Sequence, residues 1–286
     1  LLNAGFIFGW GGVPVLGGAG CGWASGIGMW ISFVLMAAHV AWAAPYRAYR
    51  LFRGWTGPRR TSLLRLLRIG LPMGGSALAE VAAFTGVALL IGSMGPTVIA
   101  AHQSALNFTA IMYMLPAGLS AALSIRVGQA LGAGRAREAR FIAWSGMLLA
   151  LMLGLVMTPL IVLGREGIAA VYSPDAAVQH VVANLMLFTA AWYVADSTQV
   201  CAAGALRGYR VTLVPMLVVA GAYWLISIPL GTRLARHDWA ASGRGPLGVY
   251  GYWVGLLVGV LAVALALVVA LRQVARRHAE QVPSAA

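Results

Sequence analysis

Residues 247–271 read LGVYGYWVGLLVGVLAVALALVVAL, with no charged side chain from end to end. As a helix rising about 1.5 Å per residue, ~18 or more such residues cross a hydrocarbon core ~30 Å thick. The apolar side chains run continuously and do not alternate, which favours helix over membrane strand. Six more stretches of this kind lie upstream, at 18–44, 70–95, 98–124, 141–163, 178–205 and 211–231. Composition agrees: 60% of the 286 residues are hydrophobic and 9% charged, against about 25% charged in an ordinary soluble domain. The sequence predicts an all-α membrane protein, a polytopic bundle of transmembrane helices. It excludes a soluble enzyme. Residues 1–12 (LLNAGFIFGWGG) are apolar but too short to span, and are expected to end a span that begins upstream. No charged segment with a small-residue cleavage site precedes the first span, so no secretory signal peptide is expected.

All 20 basic residues are arginine. The absence of lysine removes phosphate-loop and Schiff-base lysine chemistry. The formal charge of +13 does not point to nucleic acid, because the arginines sit in short loops between spans and not on one recognition face. Their distribution orients the chain. Sixteen fall at 45–68, 125–140, 206–210 and after 271, against four in the alternate loops, Arg165, Arg233, Arg236 and Arg244. The first set, with the C-terminus, is expected in the cytoplasm, and the protein in the cell inner membrane. Cys21 and Cys201 both lie in apolar segments, so neither a disulfide framework nor a metal cluster is expected.

An internal echo suggests a repeat. Pro14, Leu16, Gly17, Gly20 and Trp23 open the first full span; Pro246, Leu247, Gly248, Gly251 and Trp253 open the last, with the tryptophan one residue nearer. If the last span of one repeat appears at each end, a six-helix unit occupies about 70–271, as in secondary transporters built from repeats. The expected domains are the end of an N-terminal lobe at 1–44, a cytoplasmic linker at 45–69, a six-helix lobe at 70–271 and a cytoplasmic tail at 272–286. Pro72, Pro116, Pro159, Pro215 and Pro229, with 36 glycines, allow kinks and close helix approach.

Seven acidic residues are present, and Glu138, Glu166, Asp175, Asp238 and Glu280 fall in loops or the tail. Glu80 and Asp196 fall inside spans, where a carboxylate is expensive and marks a functional site by default. Each lies about ten residues, or ~15 Å, from the arginine-rich end of its span, and Tyr113 reaches a similar depth. Three polar groups on three helices therefore share one level near the midplane. Trp192, Asp196 and Gln199 follow i, i+4, i+7 spacing on one face; His102, Thr109 and Tyr113 form a second stripe, with Gln103 and Asn107 beside it. Such stripes line a cavity, although Trp192 reads equally well as packing. Two carboxylates in a low-dielectric site can hold a proton, coordinate Na+ through oxygen or attract a cationic solute. Those occupants compete, which is the physical content of antiport.

At these residues the chain resembles a known family. Residues 68–139, RIGLPMGGSALAEVAAFTGVALLIGSMGPTVIAAHQSALNFTAIMYMLPAGLSAALSIRVGQALGAGRAREA, resemble the multidrug and toxic compound extrusion (MATE) family in its NorM-like branch. The Gly-Leu-Pro … Glu, Ala-Ala-His-Gln and Val-Gly-Gln-Ala-Leu-Gly-Ala-Gly elements carry the likeness. DSTQVCAAGALRGYR at 196–210 is similar to the family's Asp-x-x-Gln … Gly-x-Leu-Arg-Gly signature. The resemblance implies twelve helices in two six-helix lobes, and export of cationic amphiphilic drugs in exchange for Na+ or H+. The chain would hold the second lobe and the end of the first, its partners being drugs, the bilayer and the remaining N-terminal lobe. The family's cation site, a glutamate, a tyrosine and an aspartate, matches Glu80, Tyr113 and Asp196, with Na+ possible on Glu80 and Asp196. Substrate contacts match Gln103 and Asp175, with Trp192 and Gln199 beside them. No cofactor beyond the coupling ion is implied.

Rival readings stay in view. A lipid-linked oligosaccharide flippase of the same superfamily should line its cavity with arginine for pyrophosphate, whereas the spans here offer acids. An intramembrane hydrolase using Glu80 and Asp196 lacks a Gly-x-Gly-Asp element, since Tyr193-Val-Ala precedes Asp196. A haem role for His39, His102 and His180 has nothing but isolated histidines behind it. Alternating access needs two lobes, so residues 1–286 alone are expected not to transport.

Overall fold

The computed structural model describes residues 2–9, 16–43, 57, 59–237 and 246–280. It is a helical membrane bundle, with seven helices among the described residues long and apolar enough to cross a bilayer. The chain divides into two compact units, residues 1–63 and 64–286.

In the first unit, α1 (Leu2–Phe8) turns into α2 (Gly17–Trp42). The Leu16 N–H donates to the Phe6 carbonyl at 3.1 Å, and Gly17 follows at φ +53°. A side chain at Gly20 would run into the Phe6 backbone. The same corner recurs at the other end of the chain. There the Leu247 N–H donates to the Leu234 carbonyl at 3.2 Å, Gly248 sits at φ +55°, and Gly251 lies against the Leu234–Ala235 backbone. The echo in sequence is therefore a repeated local structure, because both glycines adopt a φ that Cβ disfavours. The two prolines differ in status: Pro246 is described, while Pro14 lies outside the described residues.

Helix α3 (Arg60–Ile91), which lies in the second unit from Leu64 on, is followed by a short 3-10 turn (Gly92–Met94) and α4 (Pro96–Gly132). Then come α5 (Ala136–Tyr172) and α6 (Ala176–Gly208). The next span is built in three parts: α7 (Leu213–Gly221), a wide π-type turn (Ala222–Ser227) and α8 (Ile228–Arg236). The last helix is α9 (Val249–Glu280). Helix α3 begins at Arg60, inside the stretch expected as linker, because RTSLLRLLR holds no proline or glycine to stop it. The rest of that stretch, 45–56 and 58, lies outside the described residues, as do Asp238 and Arg244. Pro96 opens α4 with a preset φ and no N–H to leave unpaired. Pro229 cannot donate to the carbonyl four residues back, and the turn before it widens: the Ile228 N–H reaches the Tyr223 carbonyl instead.

Helix α6 is the centre, packed against α4, α5 and α9. Small residues let the backbones approach, the usual device in lipid, where apolar burial alone does not drive helices together. Gly204 faces the Ser120 backbone of α4 and Gly154 of α5 faces Val194; Gly251, Gly255 and Gly259 of α9 face Ala235, Gly231 and Ser227. Buried hydroxyls tie the same seams: Ser120 donates to the Val200 carbonyl at 2.7 Å, and Ser197 to that of Ala150 at 3.1 Å. The outer surface is apolar, with Leu163 83% and Leu225 77% exposed. The ion pairs among the described residues, Arg135–Glu138, Arg165–Glu166 and Arg276–Glu280, all lie near helix ends.

Candidate functional site

A cavity of about 130 Å³ opens beside α6, between α3, α4 and α7. Its polar lining comprises Ser76 and Glu80 from α3, Tyr113 from α4, Gln199 and Arg207 from α6, and Thr212 before α7. Leu267 and Val219 supply apolar wall. Two of the three residues expected at a cation site, Glu80 and Tyr113, thus share one chamber. Asp196 stands behind it, fully buried, and Gln199 is the link: its amide donates to Asp196 Oδ1 at 3.0 Å while its side chain lines the cavity.

Two oxygens here have no partner. Asp196 Oδ2 and Gln199 Oε1 are buried and accept no hydrogen bond among the described residues, although buried polar atoms are nearly always paired. Glu80 is half-buried and receives the Tyr223 hydroxyl at 3.4 Å from the wide turn. Trp224, next in that turn, donates its indole N–H to the Ala79 carbonyl at 3.2 Å. The turn therefore grips α3 at the carboxylate, as wide turns often do at functional sites. An all-oxygen donor set suits a hard cation such as Na+, or a proton, and no cluster of three His, Cys, Asp or Glu exists among the described residues.

The other expected residues lie elsewhere. Trp192 is buried in a small apolar cluster with Ala195, Val260 and Ala264, edge-on to Phe84 at 6.2 Å. Gln103 is exposed on α4. Asp175 caps α6, its carboxylate accepting the Ala177 N–H at 2.9 Å. In the second stripe only Tyr113 reaches the cavity. His102 is buried with its ring edge-on to Trp253 at 5.9 Å, Thr109 donates to the Ala105 carbonyl, and Asn107 accepts the Tyr172 hydroxyl at 3.0 Å. Two residues enter unannounced. Arg207, counted above only as a loop arginine, stands in the cavity wall and donates to Ser120 Oγ at 2.7 Å. Its spacing from Asp196 through Gln199 and Ala203 is i, i+3, i+7, i+11, a helix-face pattern visible in the sequence. Tyr223 had no such signal, because its aim depends on the wide turn.

The MatE family model matches residues 72–232, more than half of the chain and a range that holds Glu80, Tyr113, Asp196 and Tyr223. This chain belongs to the MATE family. It is 45% identical over 280 residues to the multidrug resistance protein PmpM of Pseudomonas aeruginosa, covering 98% of this chain and 58% of that relative. It is 39% identical to a probable multidrug resistance protein NorM of Chromobacterium violaceum, covering 97% of this chain and 59% of that one. The chain thus spans about three fifths of the length of these MATE relatives. The fold matches the crystal structure of a eukaryotic MATE transporter, AtDTX14, with a TM-score of 0.81 at 21% identity, over 98% of this chain and 61% of that one. An outward-facing multidrug resistance MATE family transporter of the MOP superfamily matches with a TM-score of 0.81 at 18% identity, over 98% of this chain and 60% of that one. MATE proteins are transporters and not enzymes.

Proposed function

We propose that this chain carries the cation site of a multidrug antiporter, which exports cationic amphiphilic drugs in exchange for Na+ or H+. The observation behind this reading is a chamber lined by Glu80 and Gln199, with Asp196 bonded to Gln199 behind it, where Asp196 Oδ2 and Gln199 Oε1 lack partners among the described residues. Tyr113 and Tyr223 flank Glu80 and supply hydroxyl oxygen; Gln199 orients Asp196 and offers its own carbonyl. A bound ion neutralises the pair, and a cationic drug that depends on the same negative charge then loses its partner. The names of the relatives support multidrug export. The excess of arginine at one end supports an inner-membrane protein with a cytoplasmic C-terminus. Gln103, Asp175 and Trp192 stay outside this chamber, so a role for them in drug contact requires surfaces other than the cation site. Among the described residues Arg207 is the one arginine lining the cavity and is already bonded to Ser120, which favours a cationic cargo over the pyrophosphate of a lipid-linked sugar.

Ethidium binding to the purified protein tests this reading. As pH falls, protons neutralise the carboxylates, so affinity should weaken from mildly alkaline to mildly acid medium. Asp196→Asn should flatten that dependence. Added Na+ at fixed pH should weaken binding if the site takes Na+, and act only through ionic strength if it takes H+. Affinity independent of both pH and Na+ refutes competition at this pair.

A further inference from the structure

A second recess lies next to the first but has the opposite character. It is a groove of about 870 Å³ between the start of α3 and the α6–α7 corner. Three arginines line it, Arg65, Arg68 and Arg210, between apolar side chains that include Leu66, Ile69 and Leu213. None of the three guanidinium groups forms an ion pair or a side-chain hydrogen bond among the described residues. Leu66 and Leu213 are 69% and 54% exposed, and Leu71 in the next turn of α3 is 67% exposed. Three uncompensated cations therefore sit at the arginine-rich end of the bundle, directly beside surface that water does not favour.

The backbone at Arg210 adds an independent observation. Helices α4 and α6 end in the same way. At α4 the Gly134 N–H donates to the Leu131 carbonyl and that of Arg135 to Ala130, with Gly134 at φ +75°. At α6 the Arg210 N–H donates to the Arg207 carbonyl and that of Val211 to Leu206, both at 2.9 Å. The residue in the left-handed position is here not glycine but Arg210, at φ +61°, the one non-glycine residue with positive φ among those described. Glycine is the usual occupant because Cβ is strained there. The turn itself gains nothing from arginine. What arginine adds is a guanidinium projecting into a groove that already holds two.

We propose that this groove binds the phosphate headgroup of an anionic phospholipid, with the acyl chains lying along the exposed leucines of α3. Guanidinium groups match phosphate oxygens in geometry and charge, and basic pockets between helices at a membrane face take such headgroups. A free phosphate ion would satisfy the arginines but not the leucines beside them. The lipid satisfies both. Bound there, it ties the entry of α3 to the α6–α7 corner, a few turns from Ser76 and Glu80 on the same helix.

The test is native mass spectrometry of the detergent-solubilised protein titrated with phosphatidylglycerol or phosphatidylcholine. The wild type should retain phosphatidylglycerol preferentially. Arg210→Gly should lower that preference about fivefold, the effect of one arginine at a membrane surface, with thermal stability equal to or above wild type because the strained position is relieved. Adding Arg65→Gln and Arg68→Gln should abolish the preference, while Arg277→Gln, on the tail of α9, should leave it intact. Glycerol phosphate should not displace the lipid. Equal retention of the two lipids, an unchanged preference in Arg210→Gly, or displacement by glycerol phosphate each overturns the proposal. The last result would mark a site for soluble phosphate. If the triple variant fails to fold, Arg210→Gly decides alone.

Discussion

Helices α3 and α6 each contribute one carboxylate, but they are held very differently. Of the 32 residues of α3 only Ala83, Val87 and Ile91 are buried, whereas eighteen of the 33 residues of α6 are. Asp196 has no exposed surface and sits on a helix locked to α4 and α5 by Gly204, Gly154, Ser120 and Ser197. Glu80 is half-buried, and its helix is tied near the carboxylate by Tyr223 and Trp224 and beside Met216 at Gly75. The proposed cation site therefore has one densely packed wall facing one lightly held wall. Shifting α3 breaks few packing contacts, while shifting α6 disrupts the centre of the unit.

The largest effect should come from removing either charge. In the full two-lobe protein, Glu80→Gln and Asp196→Asn should each cut ethidium efflux about ten- to a hundredfold, the usual worth of a hydrogen bond to a charged group, with the protein still inserted. Near-normal efflux in both variants sinks the site. Exchanging the acids then separates the two walls. Glu80→Asp, on the lightly held helix, should keep partial efflux. Asp196→Glu forces an extra methylene into a sealed position and should lose it, at about 1–3 kcal/mol of overpacking. Equal tolerance at both positions would contradict the contrast.

Glycine to alanine, made once in each helix, should act with opposite sign on stability. At Gly204 a methyl would meet Ser120 Cα at 2.9 Å, so thermal stability should fall, again by about 1–3 kcal/mol. At Gly74 no described residue lies within 4 Å of the added methyl, and removing a helical glycine should stabilise by roughly 0.5–1 kcal/mol. Parallel thermal melts of the two variants in detergent measure this, and two losses of equal size would argue that α3 is as tightly packed as α6. The smallest effect belongs to Tyr223→Phe, which removes one long hydrogen bond to Glu80, at 3.4 Å worth about 0.5 kcal/mol. Cation or drug affinity should weaken a few-fold, with the protein's melting temperature little changed. An unaltered affinity would separate the wide turn from the site.

Hydropathy is a local, additive property, so the spans, the arginine asymmetry and the presence of two acids at bilayer depth were all legible along the chain. Depth also follows from counting residues on a helix, and Glu80 and Tyr113 do meet in one cavity. Local spacing did not reveal rotation between helices. Gln103 and Asn107 flank the stripe that holds Tyr113, yet Gln103 is exposed and Asn107 bonds Tyr172. Trp192 shares a face with Asp196, yet a neighbouring phenylalanine takes its edge.

The sequence alone determined that the chain crosses a membrane as helices and that Glu80 and Asp196 lie within it, because both follow from the chemistry of residues taken singly or in short runs. Its motifs also carried the family. Only the tertiary structure decided that Gln199 bonds Asp196 and lines one cavity with Glu80, that Tyr223 reaches Glu80 from a turn widened before Pro229, and that Arg207 stands in the cavity wall. Those facts depend on how helices far apart in sequence are turned toward one another. Close packing through Gly204, Gly154 and Gly255 sets that rotation, and no single stretch of chain contains it.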